Sequence, residues 1–246
     1  MSLPMHLVES LAGAGRGSIV EVTGDEAHHA VAVRRLAVGE RVVLTDGAGT
    51  SVTGEITSTE KRVFSVEVAS VRVIERAEPT FTVVQALAKG ERGELAVEML
   101  TEIGTDVIVP WGASRSVAVW RGDRAPKSLA KWRSTAREAA KQARRSWFPE
   151  VTEPATTDDV VALLSGADLA VVLHEDASLP LAALEVPNRG SIVVVVGPEG
   201  GLSPEELAAF EAAGLRAVRL GDEVLRTSTA GLAAVASLLS RTSRWS

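Results

Sequence analysis

The chain has 246 residues, no cysteine and a net charge of −6 at pH 7. That length suits one large or two small domains with cores of their own. The lack of thiols excludes a cysteine-held iron–sulfur cluster and a cysteine nucleophile, and no run of about eighteen apolar residues suggests a membrane helix. Met1 to Gly17 has no basic flank leading into a long apolar core, so no secretory signal is read and a cytoplasmic location is expected.

The opening third is rich in strand patterns. Val20 to Val22, Arg41 to Thr45, Ser51 to Ile56 and Val63 to Ala69 alternate or are β-branched, and Asp46 to Gly49 supplies a turn. Asp25 to Leu36, after Gly24, reads as a helix. Gly13 to Gly17 has the glycine spacing of a phosphate loop, but no strand precedes it and no lysine–serine pair follows, so it is a loop. His28 and His29 would point about 100° apart on a helix and make a poor metal pair. A first domain is set at 1–73 and a second at 74–246.

From Thr80 the pattern changes to alternating strand and helix, the order of a mainly parallel α/β domain. Thr82 to Leu87 and Val107 to Pro110 are strands, with a helix over Gly93 to Ile103 between them. A basic stretch follows, with Arg121, Arg124, Lys127, Lys131, Arg133, Arg137, Lys141, Arg144 and Arg145 opposed only by Asp123 and Glu138. Arg133, Arg137, Lys141 and Arg144 recur at helical spacing, and Trp132, Ala136, Ala140 and Ala143 form the neighbouring, inward face. Such a face is either solvated or binds nucleic acid, and Arg34 and Arg35 offer a second basic spot. Trp111, Trp120, Trp132 and Trp147 cluster around this region, where base stacking competes with packing as their role. Thr152 to Asp159 is read as a surface connection.

Three loops near the carboxyl terminus carry the strongest signal. Leu169 to Leu173 is a strand ending in His174, Glu175 and Asp176. Ile192 to Val196 is β-branched throughout, as in a strand buried on both faces, and runs into Gly197-Pro-Glu-Gly-Gly-Leu-Ser-Pro-Glu-Glu206. Ser203 with Glu206 forms a capping box, with Pro204 at the first helical position. A third short strand from Ala217 leads to Leu220-Gly221 and Val224-Leu-Arg-Thr227, then to a small-residue helix over Thr229 to Leu239. In open α/β sheets ligands bind at the carboxyl ends of adjacent strands, so these loops are expected to share one pocket. The ordinary alternative is a set of plain strand-to-helix turns.

These segments, with His29 to Arg35, Lys89-Gly90, Thr101 to Gly104, Arg115-Ser116, Glu138 to Gln142, Arg145 and Pro149-Glu150, resemble the ribosomal RNA small subunit methyltransferase E family across nearly the whole chain. The resemblance implies an α/β protein with an N-terminal PUA-like β-barrel that binds RNA and a C-terminal SPOUT domain with a deep trefoil knot. It implies a homodimer that uses S-adenosylmethionine and no metal, and methylates N3 of a uridine in 16S rRNA within the small ribosomal subunit, with free rRNA as the open alternative. A related SPOUT enzyme with a ribose or tRNA-base target, and a non-catalytic assembly factor keeping the pocket, are the alternatives. Without cysteine, direct in-line transfer to nitrogen or oxygen is the route left open.

On this resemblance the cofactor falls to Leu173, His174, Gly197, Pro198, Glu199, Gly200, Gly201, Leu220, Gly221, Val224, Leu225 and Arg226. Charge stabilisation falls to Arg226, with Arg115 and Arg145 as further catalytic candidates. RNA binding falls to Arg34, Arg35, Arg133, Arg137, Lys141 and Arg144. Glu199, Glu102, hydroxide and an RNA phosphate all stay open as the base. The chain departs from the family pattern at Met5, Met99, Lys141, Arg144 and Ser228, the last replacing a usual glutamate.

Overall fold

A computed structural model of the chain describes residues 3–245. It forms two compact units, Met1–Arg76 with Lys141–Phe148, and Ala77–Ala140 with Pro149–Ser246.

The first unit is built on a five-stranded sheet. Its strands are β1 (Met5–Leu7), β2 (Ile19–Thr23), β3 (Arg41–Thr45), β4 (Thr50–Glu60) and β5 (Val63–Val73), in the order β1-β3-β4-β5-β2. Only the β1–β3 pair is parallel. Val52 and Ile56 alternate with polar neighbours, so one face of the long β4–β5 hairpin is buried with Val42, Leu44, Phe64 and Val66. Each such side chain contributes roughly 1.5–3 kcal/mol by leaving water. No ladder joins β1 to β2 among the described residues, so the five strands form an open sheet where the resemblance implied a closed barrel.

The helix expected over Asp25 to Leu36 is shorter. An α-helical turn, α1 (Gly24–His28), widens into a π-helical turn over His29–Val33, and Arg35 then adopts φ +55°. This swing lets Leu36 N–H reach the Ala30 carbonyl at 3.2 Å and brings the Leu36 side chain into the core. A regular helix would leave that side chain on another face. Residues 141–148 complete the unit: Trp147 Nε1 donates to the Ile74 carbonyl at 2.8 Å and Phe148 N–H to the Gly47 carbonyl at 2.8 Å. Gly49 (φ +98°) must be glycine there, because a Cβ would lie 2.7 Å from the Trp147 ring.

The second unit carries a six-stranded sheet, parallel throughout. Its strands are β6 (Thr80–Ala86), β7 (Val107–Trp111), β8 (Glu150–Val151), β9 (Leu169–Leu173), β10 (Ser191–Val196) and β11 (Arg216–Val218), in the order β11-β9-β10-β6-β7-β8. Helices α2 (Arg92–Ile103), α3 (Arg124–Gln142) and α6 (Thr227–Leu239) contribute Val97, Leu100, Leu129, Trp132, Val235 and Leu238 to one face of the sheet. Helices α4 (Thr157–Ser165) and α5 (Pro204–Ala212) bring Val160, Leu164 and Phe210 to the other. Covered on both sides, β10 is buried from Ile192 to Val196, which is why its sequence is apolar without alternation.

Helix α4 begins inside the stretch read as a connection. Its start is fixed by a capping box between Thr156 and Asp159, and Val160 and Leu164 are its buried i, i+4 pair. Helix α3 buries Trp132, Ala136, Ala139 and Ala140, while Ala143, expected inward, lies past its end and is exposed. Close packing sets two glycines: a Cβ on Gly93 would meet the Trp132 ring at 2.9 Å, and one on Gly231 would meet Leu100 and Val196 at 3.2 Å. At the edge where the strands start, Arg244 beyond α6 donates to Asp106 Oδ2 at 2.6 Å, to the Gly104 carbonyl at 2.9 Å and to the Pro79 carbonyl at 3.0 Å. Asp106 Oδ2 also accepts Phe81 N–H at 2.8 Å, so that edge is closed by satisfied polar groups.

Candidate functional site

At the opposite edge, the carboxyl ends of β10, β9 and β11 open into a cavity of about 860 Å³. Every residue expected to hold the donor lines it, from Leu173 and His174 through Gly197–Gly201 to Leu220, Gly221 and Val224–Arg226. The three loops therefore meet, because their strands are neighbours in the sheet. Parallel β9, β10 and β11 deliver all three strand ends to one rim.

The glycine loop is shaped by two constraints. Gly201 takes φ +70°, a left-handed conformation, and a Cβ there would meet nothing within 4 Å, so its backbone faces open space. Gly200 is limited from outside: a Cβ would fall 3.0 Å from the Arg115 carbonyl. Beneath the loop, Thr227 Oγ1 donates to the Gly197 carbonyl at 2.9 Å and accepts from Gln85 Nε2 at 3.0 Å. Gln85 Nε2 also donates to the Ala86 carbonyl at 3.2 Å. The start of α6 is thus tied directly to the start of the loop through the Thr227 hydroxyl, which the fully buried Gln85 amide of β6 holds from behind. Sequence reasoning missed Gln85 and the Thr227 hydroxyl. A lone glutamine closing the run Val83-Val84 was the available signal, since a buried amide needs partners.

Charge is divided around the rim. Arg115 and Arg226 are exposed side chains lining the cavity, joined by Lys89 and Arg92, which sequence reasoning had left without a role. Arg226 is also the N-cap residue of α6, its carbonyl accepting from Thr229 and Ala230, so its backbone is fixed. Arg115 Nη1 approaches the Gly200 carbonyl at 3.5 Å. Among the acids, Glu199 Oε1 accepts Lys89 N–H at 3.3 Å and lines the cavity, whereas Glu102 is exposed on α2 and does not. Nearby, Glu205 is held below the usual carboxylate range by its own backbone N–H, then by the Ser203 hydroxyl and the charge of Arg115.

None of the remaining candidates is among the lining residues of the cavity. Arg145, in the first unit, donates through Nε to the Trp147 carbonyl at 2.9 Å. Arg133 donates to the Val151 carbonyl at 3.0 Å and to Glu153 at 2.9 Å, and Arg137 to Ser134 Oγ at 3.4 Å; both guanidinium groups sit on the exposed side of α3. Arg144 does not continue their row, because the helix ends at Gln142 and Arg144 takes φ +55°. Lys141 is turned inward, 11% exposed, with Nζ at 2.9 and 3.1 Å from the two oxygens of Glu26. Glu26 also pairs with the ring of His6 at 3.2 Å. Burial raises the Glu26 pKa, but the hydrogen bonds from His6 and Lys141 and the Lys141 charge outweigh it and bring it to about 2. That pairing removes Lys141 from the outward basic face. Arg34 and Arg35 are exposed after the π-helical turn. Of the tryptophans, Trp111 and Trp132 are core residues, and Trp120 packs edge-on against Trp132 at 5.0 Å. Among the described residues no helix is long and apolar enough to cross a membrane.

Residues 76–239 match the family model for an RNA methyltransferase domain, and residues 22–68 that for an RNA methyltransferase PUA domain. The ribosomal RNA small subunit methyltransferase E of Mycobacterium bovis is 41% identical, over 93% of this chain and 89% of its own length. The Bacillus subtilis protein of that name is 28% identical over 88% of each chain. A methyltransferase from Legionella pneumophila, solved with bound SAM, superposes with a TM-score of 0.90 at 26% identity, covering 98% of this chain and 99% of that one. The ribosomal RNA small subunit methyltransferase E of Neisseria gonorrhoeae, bound to S-adenosyl methionine, gives a TM-score of 0.86 at 26% identity, covering 97% and 98%. The chain belongs to the ribosomal RNA small subunit methyltransferase E family.

Proposed function

We propose that this chain transfers a methyl group from S-adenosylmethionine to N3 of a uridine in 16S ribosomal RNA. The carrying observation is the meeting of three strand-end loops around one cavity that Arg115 and Arg226 help to line, in a chain that is 41% identical to a small-subunit rRNA methyltransferase. The cavity suits the donor. Its volume of about 860 Å³ lies within the usual range for small-ligand sites, and Gly201 and Gly221 present backbone rather than side chains to it. Backbone groups of Leu173, Gly197, Gly201, Leu220, Gly221 and Leu225 would take its adenosine and methionine parts. When bound, the donor supplies an electrophilic methyl on a sulfonium.

The residues of this chain must then manage the uracil. Its N3 carries a proton between two carbonyls, so methylation requires loss of that proton and stabilisation of the charge spreading onto the oxygens. Arg226 and Arg115 at the rim serve the second need, as preorganised cations in a partly enclosed site. Of Glu199 and Glu102, position favours Glu199 as the base, since it lines the cavity and Glu102 does not. Arg145, fixed on the Trp147 carbonyl, stays a further catalytic candidate, and Arg34, Arg35, Arg133, Arg137 and Arg144 are assigned to holding RNA phosphates in the cytoplasm. Exposed Val117, Val119, Val224 and Leu225 support a homodimer that covers them. The family resemblance supports a PUA-like first domain, a SPOUT second domain and a trefoil knot in its C-terminal chain.

Mass-spectrometric mapping of 16S rRNA nucleosides tests the reading. A strain lacking the protein should lose N3-methyluridine and regain it on complementation. Retention of the modified nucleoside would overturn the assignment.

A further inference from the structure

The capping boxes of α4 and α5 differ in a way that helix capping does not explain. At α4, Asp159 closes on its own cap: Oδ2 accepts from Thr156 N–H at 2.9 Å and from Thr156 Oγ1 at 2.7 Å, and the carboxylate is exposed. At α5, Glu206 is 4% exposed. One oxygen accepts Ser203 N–H at 2.9 Å, and the other reaches back to Ser114 N–H at 2.7 Å. Burying a carboxylate is expensive unless both oxygens are satisfied. Asp159 shows that the cap alone works without burial.

What the second bond fixes is the segment after β7. Residues 112–120 have no regular helix or strand, and Ser114 precedes Arg115, whose side chain lines the cavity. The same segment lies against the glycine loop, with the Arg115 carbonyl 3.0 Å from the Cβ position of Gly200. One carboxylate thus spans two segments: the glycine-loop end at Ser203 and the arginine segment at Ser114.

We propose that Glu206 is a positioning residue that holds Arg115 in register with the glycine loop. This rests on the reading of Arg115 as a group acting at the transfer site. A glutamate is needed because an aspartate would satisfy the local cap, as Asp159 does at α4, yet fall one methylene short of Ser114.

Glu206→Asp therefore separates the two roles, and Ser203→Ala, which weakens the cap but keeps the carboxylate, is its control. Glu206→Asp should raise amide exchange of the peptide covering 112–118 about tenfold or more, because a local opening becomes easier. It should lower kcat about tenfold through misplacement of Arg115, with the calorimetric Kd for S-adenosylmethionine changed less than about twofold. Ser203→Ala should leave exchange in 112–118 and kcat near wild type. In an Arg115→Ala background, Glu206→Asp should cost less than about a further twofold, since both changes act through one side chain. Wild-type exchange and turnover in Glu206→Asp, or losses that multiply with Arg115→Ala, would overturn the role of Glu206 while leaving Arg115 in place. Full turnover in Arg115→Ala alone would instead overturn the reading of Arg115, and this role with it.

Discussion

The two edges of the parallel sheet in the second unit use their polar groups in opposite ways. Where the strands begin, Arg244 and Asp106 are almost buried, 12% and 4% exposed, and their hydrogen bonds are spent on each other and on nearby backbone. Where the strands end, Arg115, Arg226 and Glu199 are exposed around a cavity, and the backbone beneath them is held by Gln85, Thr227 and Glu206. One edge is closed to hold the fold; the other keeps its charged tips open over a fixed base. Substitutions at the two edges should therefore separate stability from transfer.

The largest effect is expected at the closed edge. Asp106→Ala leaves the Arg244 guanidinium without its carboxylate and should cost about 3–5 kcal/mol in a denaturant titration, as removal of one partner from a buried pair does. The molecules that remain folded should bind S-adenosylmethionine with unchanged affinity. Loss of affinity in that folded fraction would mean the edges are not separable.

At the open edge the pattern should reverse. Arg226→Ala should lower turnover about 100- to 1,000-fold, the usual cost of removing a preorganised charge stabiliser, with a melting temperature near wild type. A smaller loss is expected from Gly200→Ala, whose methyl must push the Arg115 carbonyl from 3.0 Å to ordinary contact. A displacement of a few tenths of an ångström should cost about tenfold in turnover, read in single-turnover assays. Wild-type turnover would show that the Arg115 segment yields without moving its side chain.

Legibility from sequence followed the range of the interactions. The box of Ser203 and Glu206 and the strand of Ile192 to Val196 could be read directly, since capping and burial leave marks within a few residues. Helix α4 was marked in the same local way by Thr156, Asp159, Val160 and Leu164, but its short length let it pass for a connection. The pairs Glu26 with Lys141, Gln85 with Thr227 and Asp106 with Arg244 span 115, 142 and 138 residues, and no local pattern announces them. For that reason Lys141 looked like one more cation on a basic face. Spacing alone does not show where a helix stops, so by spacing Arg144 extends that face although α3 ends at Gln142.

The smallest predicted effect concerns the first unit and is a matter of pH. The Glu26 pKa is lowered from 4.5 to about 2, so its ionised form is favoured by folding. Its contribution is fully present above pH 4.5 and is lost as pH falls through about 2. Glu26→Gln should thus be less stable than wild type at neutral pH, with the gap narrowing on acidification across that window. Parallel urea titrations would check it, and a gap independent of pH would show that the carboxylate charge is not the source.

The loops after β9, β10 and β11 are proposed to grip one sulfonium donor. A crystal structure of the protein with S-adenosylmethionine would locate that donor. The donor should lie in the cavity between Gly197–Gly201 and Leu220–Arg226, its methyl facing the side of Arg115 and Arg226. Density for the donor elsewhere, or an empty cavity at saturating donor, would show that these loops do not hold it.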